Sequence, residues 1–90
     1  MAVTVKIPTM FRGLVRGRAE VSASGKTIGG VLADLDSRYP GLKERLCDED
    51  GLRQAVSVFL NGEDVRFVKG LETPVKDGDE LSIVTALAGG

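Results

Sequence analysis

The sequence has 90 residues, of which 42% are hydrophobic and 28% are charged, and its net charge at pH 7 is −1. This length predicts a single compact domain, and the near-neutral charge gives no general attraction to nucleic acid or to an anionic membrane. The chain has no histidine and one cysteine, Cys47, which excludes Cys/His zinc sites, histidine-activated nucleophiles and an intrachain disulfide. A fold without a disulfide fits the reducing cytoplasm, which is the location we expect. We also expect no bound metal or cofactor, no signal peptide and no membrane span.

Two stretches near the start of the chain alternate apolar and polar residues. They cover residues 3–7, where Pro8 ends the pattern, and residues 19–23. An alternation of period two predicts half-buried strands. The polar loop over residues 12–17 would join the two strands as a hairpin.

Apolar residues recur at helical spacing between Thr27 and Tyr39. Thr27 is a good N-cap residue, and Pro40-Gly41 would stop the helix. Residues 42–46 could add one short helical turn. The preceding Gly25-Lys26-Thr27 has the order found at the end of a phosphate-binding loop, but that motif needs a glycine five residues earlier, and position 20 is a glutamate. We therefore interpret it as the entrance to the helix.

Three further strands are predicted in the second half of the chain. Residues 56–60 alternate, Asn61-Gly62 is a strong hairpin signal, residues 64–68 would return as a short edge strand, and residues 81–85 form the last strand. One helix can cover only one face of a sheet, so the order β-β-α-β-β-β predicts a two-layer α+β domain. The predicted core consists of Val5, Ile7, Val21, Ile28, Leu32, Leu35, Val58, Leu60, Leu81 and Ile83.

The sequence ends in Ala88-Gly89-Gly90, directly after the last strand and without charge or proline. Two residues that lack Cβ make a thin and permissive tip, which could present a carboxylate inside a narrow channel of another enzyme. The alternative is an ordinary frayed chain end.

The element order and the terminal Gly-Gly together resemble ubiquitin and the bacterial sulfur carriers of the ThiS and MoaD type. Several stretches resemble the actinobacterial CysO-type branch in particular: residues 3–5, 7–9, 61–67, 70–73 and 88–90. The resemblance implies a β-grasp domain over residues 1–85 and a flexible tail over residues 86–90. The implied sheet is mixed and five-stranded, with strand order 2-1-5-3-4, strands 1 and 5 parallel at its centre and one main helix on one face.

The same resemblance implies that the chain is a protein co-substrate rather than an enzyme. An E1-like enzyme would use ATP to adenylate the carboxyl group of Gly90, and a sulfur donor would displace AMP to leave a thiocarboxylate. In CysO-like systems a cysteine-synthase-like partner joins this sulfur to an activated serine, and a metal-dependent protease releases the cysteine formed. The alternatives are delivery of sulfur to molybdopterin, thiazole or a secondary metabolite, and a ubiquitin-like modifier or interaction module.

A partner-docking surface is predicted on the face of the sheet that the helix leaves open. Phe59 and Val84 alternate with core residues and should point to this face, and Phe11 or Leu14 from the first loop could extend the patch. Arg12, with the other arginines of that loop, could pair with acidic groups of the partner. Scattered surface hydrophobes and a solvated basic loop are the alternatives. Cys47, followed by three acidic residues, is expected to be a bystander.

Overall fold

A computed structural model, which describes residues 2–86, shows a mixed five-stranded sheet with one main helix across one face. The strands are β1 Val3–Lys6, β2 Glu20–Ala23, β3 Cys47–Asp48, β4 Gly51–Leu52, β5 Val56–Leu60, β6 Glu63–Asp64 and β7 Glu80–Thr85. The helices are α1 Ile28–Arg38 and α2 Leu42–Leu46, with 3₁₀ helices at Thr9–Val15, Val65–Phe67 and Gly70–Glu72. No helix within residues 2–86 is long and apolar enough to cross a membrane.

The main sheet has the order β2-β1-β7-β5-β6. The central strands β1 and β7 run parallel, with Val5 opposite Leu81, and the other neighbours are antiparallel. These findings confirm the predicted β-grasp topology. Strands β3 and β4 form a separate small hairpin that the sequence did not predict, because two residues are too few to show a period.

The core lies between the sheet and α1. Side chains at alternate positions of β1, β5 and β7 point towards the helix, and the apolar stripe of α1 is fully buried against them: Ile28, Val31, Leu32 and Leu35. Nine of the ten predicted core residues are buried. Leu60 is only partly buried, because it lies at the end of β5 beside the Asn61-Gly62 turn, but it packs against the core.

Both ends of α1 agree with the prediction. The Thr27 hydroxyl accepts a hydrogen bond from the backbone N–H of Gly30 at 3.1 Å, so the helix begins at Ile28, and it ends at Arg38.

An ion pair on α1 also contacts the edge strand β2. Arg38 pairs with Asp34 at 2.9 Å and donates to the carbonyl of Ser22. The Asp34 carboxylate also accepts the N–H of Ser24, which is the main cause of its lowered pKa. The ion pair therefore occupies the Ser22 carbonyl of β2 and the Ser24 N–H just after the strand, which could otherwise pair with another strand.

Two connections differ from the predicted structure. The first loop, predicted to be polar and irregular, winds into the 3₁₀ helix Thr9–Val15 and buries Val15. The predicted edge strand over residues 64–68 is only two residues long before it becomes the 3₁₀ helix Val65–Phe67. There the Asp64 carboxylate accepts the N–H of Arg66 at 2.9 Å. Such a local side-chain bond competes with strand pairing, so the chain turns instead of extending.

Gly25 lies against the backbone of α1. A Cβ at this position would be 2.6 Å from the amide nitrogen of Val31 and 2.8 Å from the carbonyl carbon of Gly30. Both are backbone atoms of a packed helix, so neither can move without shifting the helix itself. Close packing therefore explains the glycine without any phosphate ligand.

We expect Gly25→Ala to lower the free energy of unfolding by about 1–3 kcal/mol, the usual cost of overpacking. Gly13→Ala is the matched control, because no heavy atom lies within 4 Å of a Cβ built at Gly13. Urea denaturation of the two variants makes the comparison. Equal midpoints would show that the loop before α1 relaxes freely and that the close approach has no energetic role.

Candidate functional site

The last described residues follow the central strand of the sheet. Strand β7, the central strand, ends at Thr85, and the N–H of Ala86 still donates to the carbonyl of Ala55 at 2.8 Å. The Thr85 hydroxyl lies 3.1 Å from Met10 Sδ, which joins the first 3₁₀ helix to the same end of the sheet. The predicted sulfur-attachment residue Gly90, with Ala88 and Gly89, lies outside the described residues.

Phe59 and Val84 lie on the open face of the sheet, as predicted. The register places Phe59 opposite Ser82 and Val84 opposite Ser57, so the two apolar side chains are diagonal neighbours, a spacing that a large side chain can bridge. Val84 is 48% exposed and Phe59 is partly exposed. The two residues form a small apolar patch next to the root of the tail, and their role in docking stays a prediction.

Charged side chains surround this patch on the same face. Lys6 of β1 lies opposite Ser82 of β7 and pairs with Glu80 at 3.3 Å, and both side chains are about half exposed. Asp64 of β6 lies opposite Phe59 of β5. An apolar centre with a polar rim is the usual anatomy of a protein–protein contact.

The prediction that Phe11 extends the exposed patch is wrong. Phe11 is only 4% exposed, because the first loop forms a 3₁₀ helix that turns this side chain into the core. Leu14 is partly buried and packs against the core. Arg12 is partly buried, and its Nε donates to the carbonyl of Ile7 at 3.1 Å. Among the first-loop residues predicted to join the docking surface, Arg12 is therefore held in place, at the end of the sheet where β7 finishes.

Sequence reasoning missed Arg66, which is also held at this end. Its guanidinium donates to the carbonyl of Arg53 and, at 3.4 Å, to the hydroxyl of Ser57. Ser57 lies opposite Val84, so Arg66 reaches the border of the apolar patch. No local pattern could have shown this, because the two acceptors are 13 and 9 residues away along the chain.

The described residues offer little chemistry of their own. Within residues 2–86, no group of three or more histidine, cysteine or acidic side chains could hold a metal ion. Cys47 is buried, and burial is the main cause that raises the pKa of its thiol. A buried thiol with a raised pKa is poorly reactive, which agrees with the interpretation of Cys47 as a bystander.

Comparisons with known proteins give a consistent family. The ThiS family matches residues 5–90 of the chain. Sulfur carrier protein CysO of Mycobacterium tuberculosis (strain H37Rv) is 47% identical over 93 residues, which cover 100% of both chains. A chain in the crystal structure of the Amycolatopsis orientalis BexX/CysO complex is 48% identical, with a TM-score of 0.93 over 98% of this chain and 99% of that one. The small archaeal modifier protein 1 of Methanosarcina acetivorans is 33% identical, with a TM-score of 0.82 over 99% and 96% of the two chains.

Proposed function

The chain belongs to the ThiS family, and from this premise we propose that it is a sulfur carrier whose cargo is bonded to the carboxyl carbon of Gly90. The observation that carries the proposal is the extent of the likeness. The family match reaches residue 90, and a relative named as a sulfur carrier aligns over 100% of both chains. Ala86, the last described residue, gives further support, since it is exposed directly after the central strand.

The proposed chemistry needs a partner, because a free carboxylate is a poor electrophile. An E1-like enzyme would bind ATP and transfer AMP to the Gly90 carboxylate, with release of pyrophosphate. A sulfide donor would then form a C–S bond as the C–O bond to AMP breaks, which releases AMP and leaves a thiocarboxylate. The chain is a substrate of this enzyme and not an enzyme itself, and we propose that ATP binds only to the partner.

We propose cysteine biosynthesis as the destination of the sulfur. The likeness to CysO supports it, since that likeness covers the whole chain. A cysteine-synthase-like enzyme would supply a serine whose hydroxyl carries an activating group. The thiocarboxylate sulfur would bond to the β-carbon as that group leaves, and an S-to-N acyl shift would leave a cysteine amide-linked to Gly90. A metal-dependent protease would hydrolyse that amide. Delivery to molybdopterin, thiazole or a thiolated secondary metabolite uses the same carboxyl chemistry and differs only in the acceptor.

A second candidate function is protein modification. The likeness to a small archaeal modifier protein at 33% identity favours it. In that case the activated Gly90 would form isopeptide bonds with lysines of other proteins. Intact mass after incubation with ATP and cell extract separates the two functions: a sulfur carrier gains the difference between one sulfur and one oxygen, whereas a modifier gains a whole protein.

We expect Phe59→Asp to weaken binding to the activating enzyme by about 2 kcal/mol or more, the scale of an aromatic hot spot. The substitution places a charge in the apolar patch beside the tail. Ala33→Asp adds the same charge at an exposed position of α1 and should leave the affinity unchanged. Titration calorimetry measures both variants, and circular dichroism checks the fold. If Phe59→Asp binds as tightly as Ala33→Asp, the open face of the sheet is not the docking surface.

A further inference from the structure

Phe67 is the most exposed large hydrophobic residue among residues 2–86, at 86%. It does not lie in a loose loop. Its 3₁₀ helix is fixed by Val65, which is fully buried, by the Asp64 cap, and by the bond from the N–H of Val68 to the carbonyl of Val65. Phenylalanine is enriched in the cores of protein–protein contacts, so an aromatic side chain that a fixed backbone holds in water is a candidate anchor for a partner.

Arg66 lies next to Phe67 and has a charge that no acid neutralises among the described residues. The ion pairs within residues 2–86 are Lys6–Glu80 and Arg38–Asp34, whereas the guanidinium of Arg66 bonds to neutral oxygens of Arg53 and Ser57. Its orientation is thus fixed, while its charge remains available. A guanidinium with a fixed plane suits bidentate binding of a carboxylate.

The position of Arg66 connects it to the tail. Ser57 lies opposite Val84, and the carbonyl of Ala55 accepts the N–H of Ala86, so the guanidinium is held at the root of the C-terminal segment. Any enzyme that binds this segment in a channel must therefore come close to the Arg66 guanidinium.

On its other side, Arg66 borders a groove of about 350 Å³ between the β3–β4 hairpin and the two 3₁₀ helices that follow β6. Leu52, Leu71 and Lys69 line the groove, with Asp50 as its acidic residue. Its two leucines and two basic side chains complement a partner surface that combines acidic and apolar groups.

We propose that Arg66 and Phe67 form a second docking point, adjoining the patch of Phe59 and Val84, for the enzyme that loads the tail. Arg66 binds a carboxylate at the rim of that enzyme's channel, and Phe67 enters an apolar pocket beside it. This inference rests on the proposed function, because it takes the loading enzyme as the partner. It adds that recognition extends from the open face of the sheet around the β6 edge.

The test is the rate of sulfur loading as a function of carrier concentration, with ATP, sulfide and the E1-like enzyme held constant. We expect Arg66→Glu to lower kcat/KM by about 30-fold, the scale of a hot-spot side chain, through KM and with kcat retained. Phe67→Ala should lower it about fivefold. Lys26→Glu makes the same change in net charge at an exposed position. The loop that contains Lys26 is bonded to residue 75, through the N–H of Val75 and the Lys26 carbonyl. The Lys26→Glu variant should load sulfur at the wild-type rate.

The dependence of the loading rate on ionic strength tests independently whether the charge of Arg66 contributes to binding. The wild-type kcat/KM should fall as ionic strength rises, and that of Arg66→Glu should fall less, because an attractive charge pair has been removed. If Arg66→Glu and Phe67→Ala both load like the wild type, or if Lys26→Glu loses as much as Arg66→Glu, the second docking point is overturned while the carrier function stands. If the wild type gains no sulfur, the proposed function fails first, and this inference fails with it.

Discussion

A chain that lacks Gly90 should gain no sulfur from its loading enzyme and should unfold at the same denaturant concentration as the intact chain. In the proposed function, the carboxyl group that attacks ATP belongs to Gly90, and the length of the tail sets where that group lies in the channel. Loss of one residue moves the carboxyl group by about 3.3 Å. A misplacement of about 1 Å can already cost about a hundredfold in rate, so we expect sulfur loading to fall below detection.

Two further changes to the tail separate length from bulk. Extension by one residue beyond Gly90 should also abolish loading, since the new terminal carboxyl group is displaced by the same distance. Gly89→Val keeps the length but adds a branched Cβ and restricts the backbone, so it should slow loading by a different route. Strand β7 ends at Thr85, and none of these changes alters the core, so unfolding free energies should stay within about 0.5 kcal/mol of the wild type. Normal loading of the Gly90 deletion would contradict the proposed function.

The second large effect is expected from Leu32→Ala, at about 2–5 kcal/mol of unfolding free energy. Leu32 is only 1% exposed in the middle of α1, between the buried residues Val31 and Leu35. The hydroxyl cap at Thr27 and the sheet beneath hold the helix in place, so the cavity cannot collapse easily. A domain of this size has about 5–15 kcal/mol of stability in total, and the variant should lose a large part of it.

Val84→Ala is the matched control for Leu32→Ala, because it also removes methyl groups but from a side chain that is 48% exposed. Its unfolding midpoint should stay close to the wild-type value. Chemical denaturation followed by circular dichroism gives both midpoints. If Leu32→Ala unfolds at the wild-type midpoint, the packing of α1 against the sheet has been assigned wrongly.

The elements that could be predicted from the sequence have a period long enough to show itself. Strands β1, β5 and β7 contain four to six residues of clean alternation, and α1 has three turns between a good cap and a Pro-Gly stop. The order of the strands came from the resemblance to the ubiquitin-like carriers. The β3–β4 hairpin was not predictable, because its strands have two residues each and their pairing depends on how α2 and the following turn are packed.

Part of the candidate site followed from the same rule, and part did not. Period two alone placed Phe59 and Val84 on the open face, since their neighbours in the strands are core residues. Phe11 was misplaced, because a 3₁₀ helix and an irregular loop have similar local sequences, and only packing decides whether such an aromatic side chain turns inwards. Arg66 was missed, because its orientation is set by acceptors that only the folded chain brings close to it.

The most direct test of the central claim is to locate the sulfur by fragmentation mass spectrometry after incubation with ATP, sulfide and the loading enzyme. The intact chain should exchange one oxygen for one sulfur, and the fragment that carries the exchange should end at Gly90. A Cys47→Ser variant should gain the same mass, because that buried thiol takes no part. An intact chain with no added sulfur, or with the sulfur on Cys47, would contradict the account.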